Sequence, residues 1–126
     1  MKKQIKIVTL IPAHLASNRF KKKVMYKLFG LPMIEHVRRR ALDSGVMENI
    51  IVASGDKEIL ETVKNYGGQV KQTYRKHLNG TSRIAEAVED INCTHVILIQ
   101  GDEPLIQKEH LKKLITAINH DPDIDS

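Results

Sequence analysis

A chain of 126 residues has the length of a single domain. Its apolar share of 41% is enough to form one core, and 28% charged residues are ordinary for a protein surface. The formal net charge of +5 favours anionic partners, but it does not distinguish a nucleotide from a nucleic acid or a sugar acid. No run of about eighteen or more apolar residues occurs, so we expect no membrane-spanning helix.

The cysteine content and the N-terminal segment indicate the cellular compartment in which the protein works. A single cysteine, Cys93, cannot form an internal disulfide, which favours a reducing environment. The segment "MKKQIKIVTLIPAH" begins like a signal peptide, but Lys6 interrupts the apolar run and no small-residue cleavage site follows. We therefore predict a cytoplasmic protein that begins with a β-strand, and we interpret Cys93 as a buried bystander.

Short apolar segments alternate with amphipathic ones along the chain. Strands are predicted at residues 5–11 ("IKIVTLI"), 49–54, 69–73 and 94–100, and helices at residues 32–45, 56–68, 81–91 and 107–119. Pro32 suits a first helical turn, and Asp56 is a candidate N-cap. Three successive helix positions point in different directions, so Arg38-Arg39-Arg40 is interpreted as a solvated face.

This alternation predicts an α/β fold of Rossmann-like type, with an open, mainly parallel sheet and helices on both faces. Right-handed crossovers restrict the topology, and we expect the strand order 3-2-1-4, in which the fourth strand returns beside the first. Ligands bind at the carboxyl ends of the strands at such a switch point. Two loops should meet there: the basic loop after the first strand, and "QGDEPLI" after the fourth.

The loop "IQGDEP" carries two acidic residues, Asp102 and Glu103, directly after a predicted buried strand. Glycine, aspartate and proline are turn formers, so a turn alone explains the segment. A carboxylate at the end of a strand is also well positioned to bind Mg²⁺ together with substrate phosphates. The sequence leaves both interpretations open.

The loop after the first strand contains Arg19, Lys21, Lys22 and Lys23 with no acid between them. Phosphate-binding loops occupy this position, but no glycine occurs before Gly30, and neither a Walker loop nor a dinucleotide fingerprint is present. Side chains such as Arg19 and Lys23 would then hold the phosphates, whereas Lys21 and Lys22 are equally explained as solvated. The chain has 4% aromatic residues and no nucleic-acid-binding motif, so we expect no nucleic-acid partner.

Three segments together carry a family resemblance: "IPAHLASNRFKKKVMYKLFGLPMIEHV", "NGTSRIAEAV" and "VILIQGDEPLI". They resemble the 3-deoxy-manno-octulosonate (Kdo) cytidylyltransferases, also called CMP-Kdo synthetases. The pattern of that family is I-P-A-R-x-x-S-x-R-x-P-G-K-P-L, then G-x-P-M-I-x-H-V, then Q-G-D-E-P. The match runs along almost the whole chain in the same order, and "QGDEP" favours this family over the related sialic-acid cytidylyltransferases.

The resemblance implies a fold of the nucleotide-diphospho-sugar transferase type and a nucleotidyltransferase activity. In such an enzyme the anomeric hydroxyl of a Kdo-like 2-keto sugar acid attacks the α-phosphorus of CTP, and pyrophosphate leaves. The product serves lipopolysaccharide synthesis. The resemblance further implies Mg²⁺ as cofactor, CTP and a sugar acid as partners, no membrane partner, and a homodimer for full-length members.

The same resemblance implies roles for individual residues. The implied nucleotide-binding residues are Pro12, Ala13, His14, Ser17, Arg19, Lys23, Asn79, Gly80, Thr81 and Arg83. The implied catalytic residues are Lys23, Gln100 and Asp102, of which Gln100 faces the reaction centre and Asp102 binds the metal.

Some positions depart from the family pattern. P-A-R is replaced by Pro12-Ala13-His14, and histidine lacks the permanent charge and the bidentate fork of arginine. P-G-K-P is replaced by Lys21-Lys22-Lys23-Val24, so we expect the turn preset by proline and glycine to be lost. A-T-D is replaced by Ala53-Ser54-Gly55. Of the histidines, His36 is interpreted as a packed or surface residue, and His77 is a candidate ligand in a loop at the strand ends.

Members of the resembled family are much longer than this chain. We therefore expect residues 1–126 to be the N-terminal, nucleotide-binding part of a cytidylyltransferase domain, and the chain to be truncated. Two functions remain open at this point: a CMP-sugar synthetase, and a degenerate relative that binds nucleotide without turnover.

Overall fold

A computed structural model describes residues 5–16, 22–47, 49–101, 107–121 and 123. The strands are β1 (Ile7–Ala13), β2 (Lys27–Leu28), β3 (Leu31–Pro32), β4 (Ile50–Ser54), β5 (Gln69–Gln72) and β6 (His95–Leu98). The helices are α1 (Met33–Asp43), α2 (Lys57–Asn65), α3 (Gly80–Ala87) and α4 (Lys108–His120), with a 3-10 helix at Lys23–Met25. Every predicted strand and helix is present. The largest difference in bounds is at α3, which ends at Ala87 rather than at residue 91.

The large sheet has the strand order β5-β4-β1-β6, and its neighbouring strands are all parallel. Counted within this sheet alone, the order is 3-2-1-4, as predicted. The central strand β1 is continuously buried from Val8 to Ala13, because strands flank it on both sides and helices cover both faces. The predicted α/β fold class is confirmed.

Successive side chains of β1 pack into two separate cores. Ile11 and Ala13 belong to the larger core, which also contains apolar side chains of α1, α2 and α4. Val8 and Leu10 face the opposite side and pack in a smaller core with α3. Two crossovers in one direction place α1 and α2 on one face, and the return to β6 places α3 on the other, as right-handed connections require. None of the helices in the described part of the chain is both long and apolar enough to cross a membrane.

The antiparallel hairpin of β2 and β3 is not evident from the sequence. Phe29 and Gly30 form its turn with positive φ angles of 51° and 80°, a conformation that suits the right-handed twist of paired strands. Each strand has only 2 residues, too few for an alternating pattern to appear. The Nε2 atom of His36 donates to the carbonyl oxygen of Leu28 at 2.5 Å and so ties the hairpin to α1. His36 is therefore a packed residue, as interpreted.

The interpretation of Arg38-Arg39-Arg40 as a solvated face is wrong for Arg38. Its buried guanidinium donates to both carboxylate oxygens of Glu35, at 2.6 and 3.0 Å, and to the carbonyl oxygen of Tyr66 at 3.2 Å. Glu35 is fully buried and also accepts from Nε of the exposed Arg39 at 3.0 Å. Helical spacing allows the Glu35–Arg38 pair, which is three residues apart on α1, but it does not reveal the contact with Tyr66, which follows α2. The buried ion pair joins α1 to the end of α2.

Substitution of Glu35 by alanine tests the contribution of this pair to stability. Glu35→Ala is expected to lower the free energy of unfolding by about 3–5 kcal/mol, because it leaves the Arg38 guanidinium buried without its carboxylate. Urea unfolding measures the loss. The matched control is Glu61→Ala, which removes the exposed Lys57–Glu61 pair and is expected to cost less than about 1 kcal/mol. Equal losses in the two variants would contradict a structural role for the buried pair.

Candidate functional site

The first turn of α3 packs directly against the end of β1. A Cβ atom added at Gly80 would lie 2.8 Å from Cγ of Pro12 and 3.8 Å from Oε1 of Gln100. No side chain fits at residue 80, so glycine is what allows the helix to approach the strand so closely. Gly101 lies equally close to the strand, since its added Cβ would be 3.2 Å from the carbonyl oxygen of Pro12. Pro12, Gly80 and Gln100 are thus brought together at the carboxyl ends of β1 and β6, where the predicted strand order puts a ligand.

Asn79 caps α3. Its Oδ1 accepts a hydrogen bond from the amide of Ser82 at 2.8 Å, and Oγ of Ser82 donates to the carbonyl oxygen of Asn79 at 3.0 Å. The family resemblance assigns Asn79 to the nucleotide, but it does not reveal this capping role. The amides of Gly80 and Thr81 precede the capped residue, at the positive end of the helix dipole.

Ala13 and His14 differ in what they can offer a ligand. Ala13 is 1% exposed and pairs with Ser54 where β1 and β4 end, so its methyl group belongs to the core. Only its backbone could reach a ligand. His14 follows directly after β1 and is exposed, so its side chain, unlike that of Ala13, is accessible to a ligand.

Two hydrogen bonds tether the basic loop at its ends. The amide of Leu15 donates to Oδ2 of Asp56 at 2.9 Å, and the amide of Lys22 donates to the carbonyl oxygen of Leu15 at 2.7 Å. Asp56 holds the N-cap position of α2, as predicted, but its side chain makes no capping hydrogen bond and binds the loop instead. Residues 17–21 of the loop, which include Ser17, Arg19 and Lys21, lie outside the described residues.

Lys22 adopts a left-handed conformation with φ 61° and ψ 28°. It stands where the family pattern has glycine, so the expected loss of the turn is wrong at this residue: the backbone keeps the conformation that glycine favours. Its Nζ lies 3.7 Å from Oε2 of Glu58, and its side chain is mostly exposed. Lys23 follows with an exposed side chain and begins the 3-10 helix.

Arg83 is buried beside Gly55 and Thr73. The side chain is 8% exposed, and its Nη1 donates to Oγ1 of Thr73 at 2.6 Å. A Cβ atom added at Gly55 would lie 3.4 Å from the same nitrogen. No carboxylate in the described parts of the chain pairs with this guanidinium. The resemblance identifies Arg83, but Gly55 and Thr73 were missed, because neither belongs to a motif that the chain retains.

His77 makes side-chain hydrogen bonds within the protein, and its ligand role stays a prediction. Its Nε2 donates to Oε1 of Glu86 at 2.7 Å, its Nδ1 lies 3.0 Å from Oγ of Ser82, and the side chain is 7% exposed. The carboxylate of Glu86 also accepts from the amides of Tyr74 and Arg75, at 2.7 and 3.0 Å. These hydrogen bonds attach the segment that follows β5 to α3. They thereby fix the position of that segment relative to the helix.

The described residues contain no group of three or more His, Cys, Asp or Glu side chains close enough to share a metal ion. Asp102, the carboxylate predicted to bind Mg²⁺, lies outside the described residues, while Gln100 is described and exposed. Cys93 is only partly buried, not fully buried as interpreted from the sequence, and this burial raises the pKa of its thiol.

The family model described as Cytidylyltransferase matches residues 8–125. The chain belongs to the cytidylyltransferase family. It is 37% identical over 120 residues to a 3-deoxy-manno-octulosonate cytidylyltransferase of Geobacter metallireducens, covering 95% of this chain and 47% of that protein. It is 40% identical over 124 residues to the protein of that name from Thermodesulfovibrio yellowstonii, covering 92% and 49%.

Solved structures agree with the family assignment. A CMP:2-keto-3-deoxy-manno-octonic acid synthetase complexed with CTP is 33% identical, with a TM-score of 0.89, and the match covers 94% of this cytidylyltransferase chain and 49% of the synthetase. A cytidylyltransferase of Leptospira borgpetersenii, 21% identical with a TM-score of 0.82, shares the fold. The chain spans about half the length of the curated relatives it matches.

Replacement of Lys22 by glycine tests the strain in the basic loop. Lys22→Gly is expected to raise the free energy of unfolding by about 1 kcal/mol, because glycine adopts the left-handed conformation without steric cost. Lys27→Gly makes the same change at an exposed position of β2 and is expected to lower it by about 0.5–1 kcal/mol. Urea unfolding measures both changes in the free energy of unfolding. Changes of opposite sign in the two variants support strain at Lys22, and a loss of stability in both variants contradicts it.

The pH dependence of stability tests the Glu86 network. Burial acts to raise the pKa of Glu86, but hydrogen bonds from Tyr74, His77 and Arg75 and the charge of Arg75 outweigh it and lower the pKa from 4.5 to about 2. Because the folded-state pKa is depressed, the stabilisation is fully present above about pH 4.5 and is lost as the pH falls towards 2.

The control for this prediction is Glu86→Gln, which has the shape of the side chain without its charge. Wild type should be more stable than Glu86→Gln at pH 7, and the difference should shrink between pH 4.5 and 2 in urea unfolding series. If the difference in stability between wild type and Glu86→Gln does not change with pH, the charge of Glu86 is not the source of that difference.

Proposed function

We propose that this cytidylyltransferase chain binds CTP and takes part in transfer of CMP to a Kdo-like 2-keto sugar acid. The observation that carries the proposal is the close packing of Gly80 on Pro12 beside Gln100, which directs the first turn of α3 to the strand ends. A helix N-terminus at such a point is suited to phosphate groups. The similarity to a synthetase complexed with CTP supports a nucleotide as the ligand.

The proposed reaction is a displacement at phosphorus. The anomeric hydroxyl oxygen of the sugar acid bonds to the α-phosphorus of CTP, the bond from that phosphorus to the bridging oxygen breaks, and pyrophosphate leaves with the electron pair. The hydroxyl proton is lost to solvent. The protein contributes mainly by positioning and by stabilising negative charge. The product would serve lipopolysaccharide synthesis in the cytoplasm.

Each implied residue has a role in this proposal. The amides of Gly80 and Thr81 and the cations Arg19 and Lys23 would hold the triphosphate, and Gln100 would face the reaction centre. Supporting positions in the nucleotide site are Pro12, Ala13, His14, Ser17, Asn79 and Arg83. Asp102 would bind Mg²⁺, which supplies charge neutralisation at the phosphates. For the full-length protein, the proposal includes a homodimer.

Calorimetry with CTP in the presence of Mg²⁺ tests nucleotide binding. Lys23→Ala is expected to weaken CTP binding by about tenfold or more, the effect of losing a hydrogen bond to a charged group. Lys64→Ala removes an exposed lysine at the end of α2, far along the chain from these motifs, and is expected to leave CTP affinity unchanged. Asp102→Ala is expected to abolish the dependence of binding on Mg²⁺.

The competing ligands in the same experiment are ATP and a DNA oligomer. Preference for CTP over ATP supports the proposal, whereas salt-sensitive binding of the oligomer without preference for CTP would overturn it. Release of pyrophosphate from CTP and Kdo then distinguishes a synthetase from a relative that binds nucleotide without turnover.

A further inference from the structure

The guanidinium of Arg83 carries a buried charge that no described carboxylate balances. Its one hydrogen bond within the described residues is to Oγ1 of Thr73, at 2.6 Å. Glu86, three residues after Arg83 on the same helix, is engaged by the amides of Tyr74 and Arg75 and by the ring of His77. A guanidinium has five N–H donors, so most of those on Arg83 are available to an external acceptor.

Arg38 provides an internal comparison. It is buried to nearly the same extent, 7% exposed against 8% for Arg83, and its guanidinium contacts both carboxylate oxygens of Glu35. Burial of a charge is strongly unfavourable unless the charge is paired and hydrogen-bonded. The chain satisfies this requirement at Arg38 from its own residues and leaves Arg83 with a neutral hydroxyl.

Gly55 leaves open the position beside Arg83 that a side chain would otherwise occupy. An added Cβ there would lie 3.4 Å from Nη1 of Arg83, 3.8 Å from Oγ1 of Thr73 and 3.2 Å from the carbonyl oxygen of Thr73. Gly55 is exposed, so this position is accessible from solvent. The hydroxyl of Thr73 accepts from Arg83 and can donate its own hydrogen to a second acceptor. An acceptor on the Arg83 side of Gly55 would therefore meet two donors.

We propose that Gly55, Thr73 and Arg83 form a binding site for a small oxyanion, a phosphate or a carboxylate group. The oxyanion lies next to Gly55, on the side of Arg83. It accepts hydrogen bonds from the guanidinium of Arg83 and the hydroxyl of Thr73, and it lies away from the carbonyl oxygen of Thr73. This oxyanion site can exist whether or not the chain has the proposed function. A phosphate group of CTP is one source of the oxyanion.

Thermal unfolding with inorganic phosphate tests the site, with chloride at the same ionic strength as reference. Phosphate at ten times its dissociation constant is expected to raise the melting temperature of the wild type by on the order of 4 °C. Gly55→Asp places an internal carboxylate against Arg83. It should melt higher than the wild type without phosphate and should lose the phosphate shift. Gly55→Asn fills the same space without charge, so it should lose the shift and melt lower than Gly55→Asp.

Two results would overturn the proposal: no phosphate shift in the wild type, or an equal shift in all three proteins. A melting temperature of Gly55→Asp no higher than that of Gly55→Asn would exclude Arg83 as the receptor. Parallel titrations with acetate, CTP and cytidine identify the source of the oxyanion. CTP binding that persists without any phosphate shift would retain the proposed function and refute this site. A phosphate shift that depends on Gly55, without CTP binding, would support this oxyanion site and contradict the proposed function.

Discussion

The position of α3 depends on one close contact, in which the backbone at Gly80 lies against the ring of Pro12. A side chain at residue 80 would push the helix away from the end of β1 and with it the amides of the first turn. The contact also brings the helix close to Gln100, which follows β6, so residues from two strands and one helix meet at a single point. In the proposed function, phosphate binding therefore rests on this packing and on basic side chains, since the basic loop has no glycine of its own.

The two buried arginines illustrate how differently a fold can treat a charge. Arg38 and Glu35 form a closed unit that also holds the carbonyl oxygen of Tyr66, so α1 and the end of α2 are fixed relative to each other. Arg83 contacts a hydroxyl and borders an open position at Gly55. The first arrangement is complete without a ligand and serves stability. The second leaves Arg83 without a carboxylate among the described residues, and the proposed oxyanion site is based on that difference.

The sequence allowed the fold to be predicted with little loss. Strands such as residues 5–11 are nearly continuously apolar because they are buried on both faces, and alternation with helices then fixes a parallel sheet. The hairpin at β2 and β3 escaped notice because two-residue strands leave no periodic signal. The burial of Arg38 could not be foreseen either, since it depends on Tyr66 from another helix.

The site was predictable only in part. The clustering of Pro12, Gly80 and Gln100 follows from the strand order, which periodicity and handedness supply. Side-chain partners do not follow from it: Asp56 binds a loop amide instead of capping α2, and His77 binds Glu86. Leu15 is 41 positions from Asp56, and Glu86 is 9 positions from His77 but on a helix that His77 precedes. Single-sequence patterns carry no information on such pairs between different elements.

The basic loop shows that a departure in sequence need not be a departure in backbone. Lys22 replaces the glycine of the family pattern and still takes the left-handed conformation. The amide of Lys22 is bonded to the carbonyl of Leu15, whose own amide is bonded to Asp56, so these tethers impose the conformation that glycine would otherwise favour. The strain at Lys22 lowers the stability of the fold, and the hydrogen bonds made by the amides of Leu15 and Lys22 offset that loss. His14, which is exposed directly after β1, replaces an arginine of the family pattern, so the permanent charge and the bidentate fork of arginine are absent at this residue.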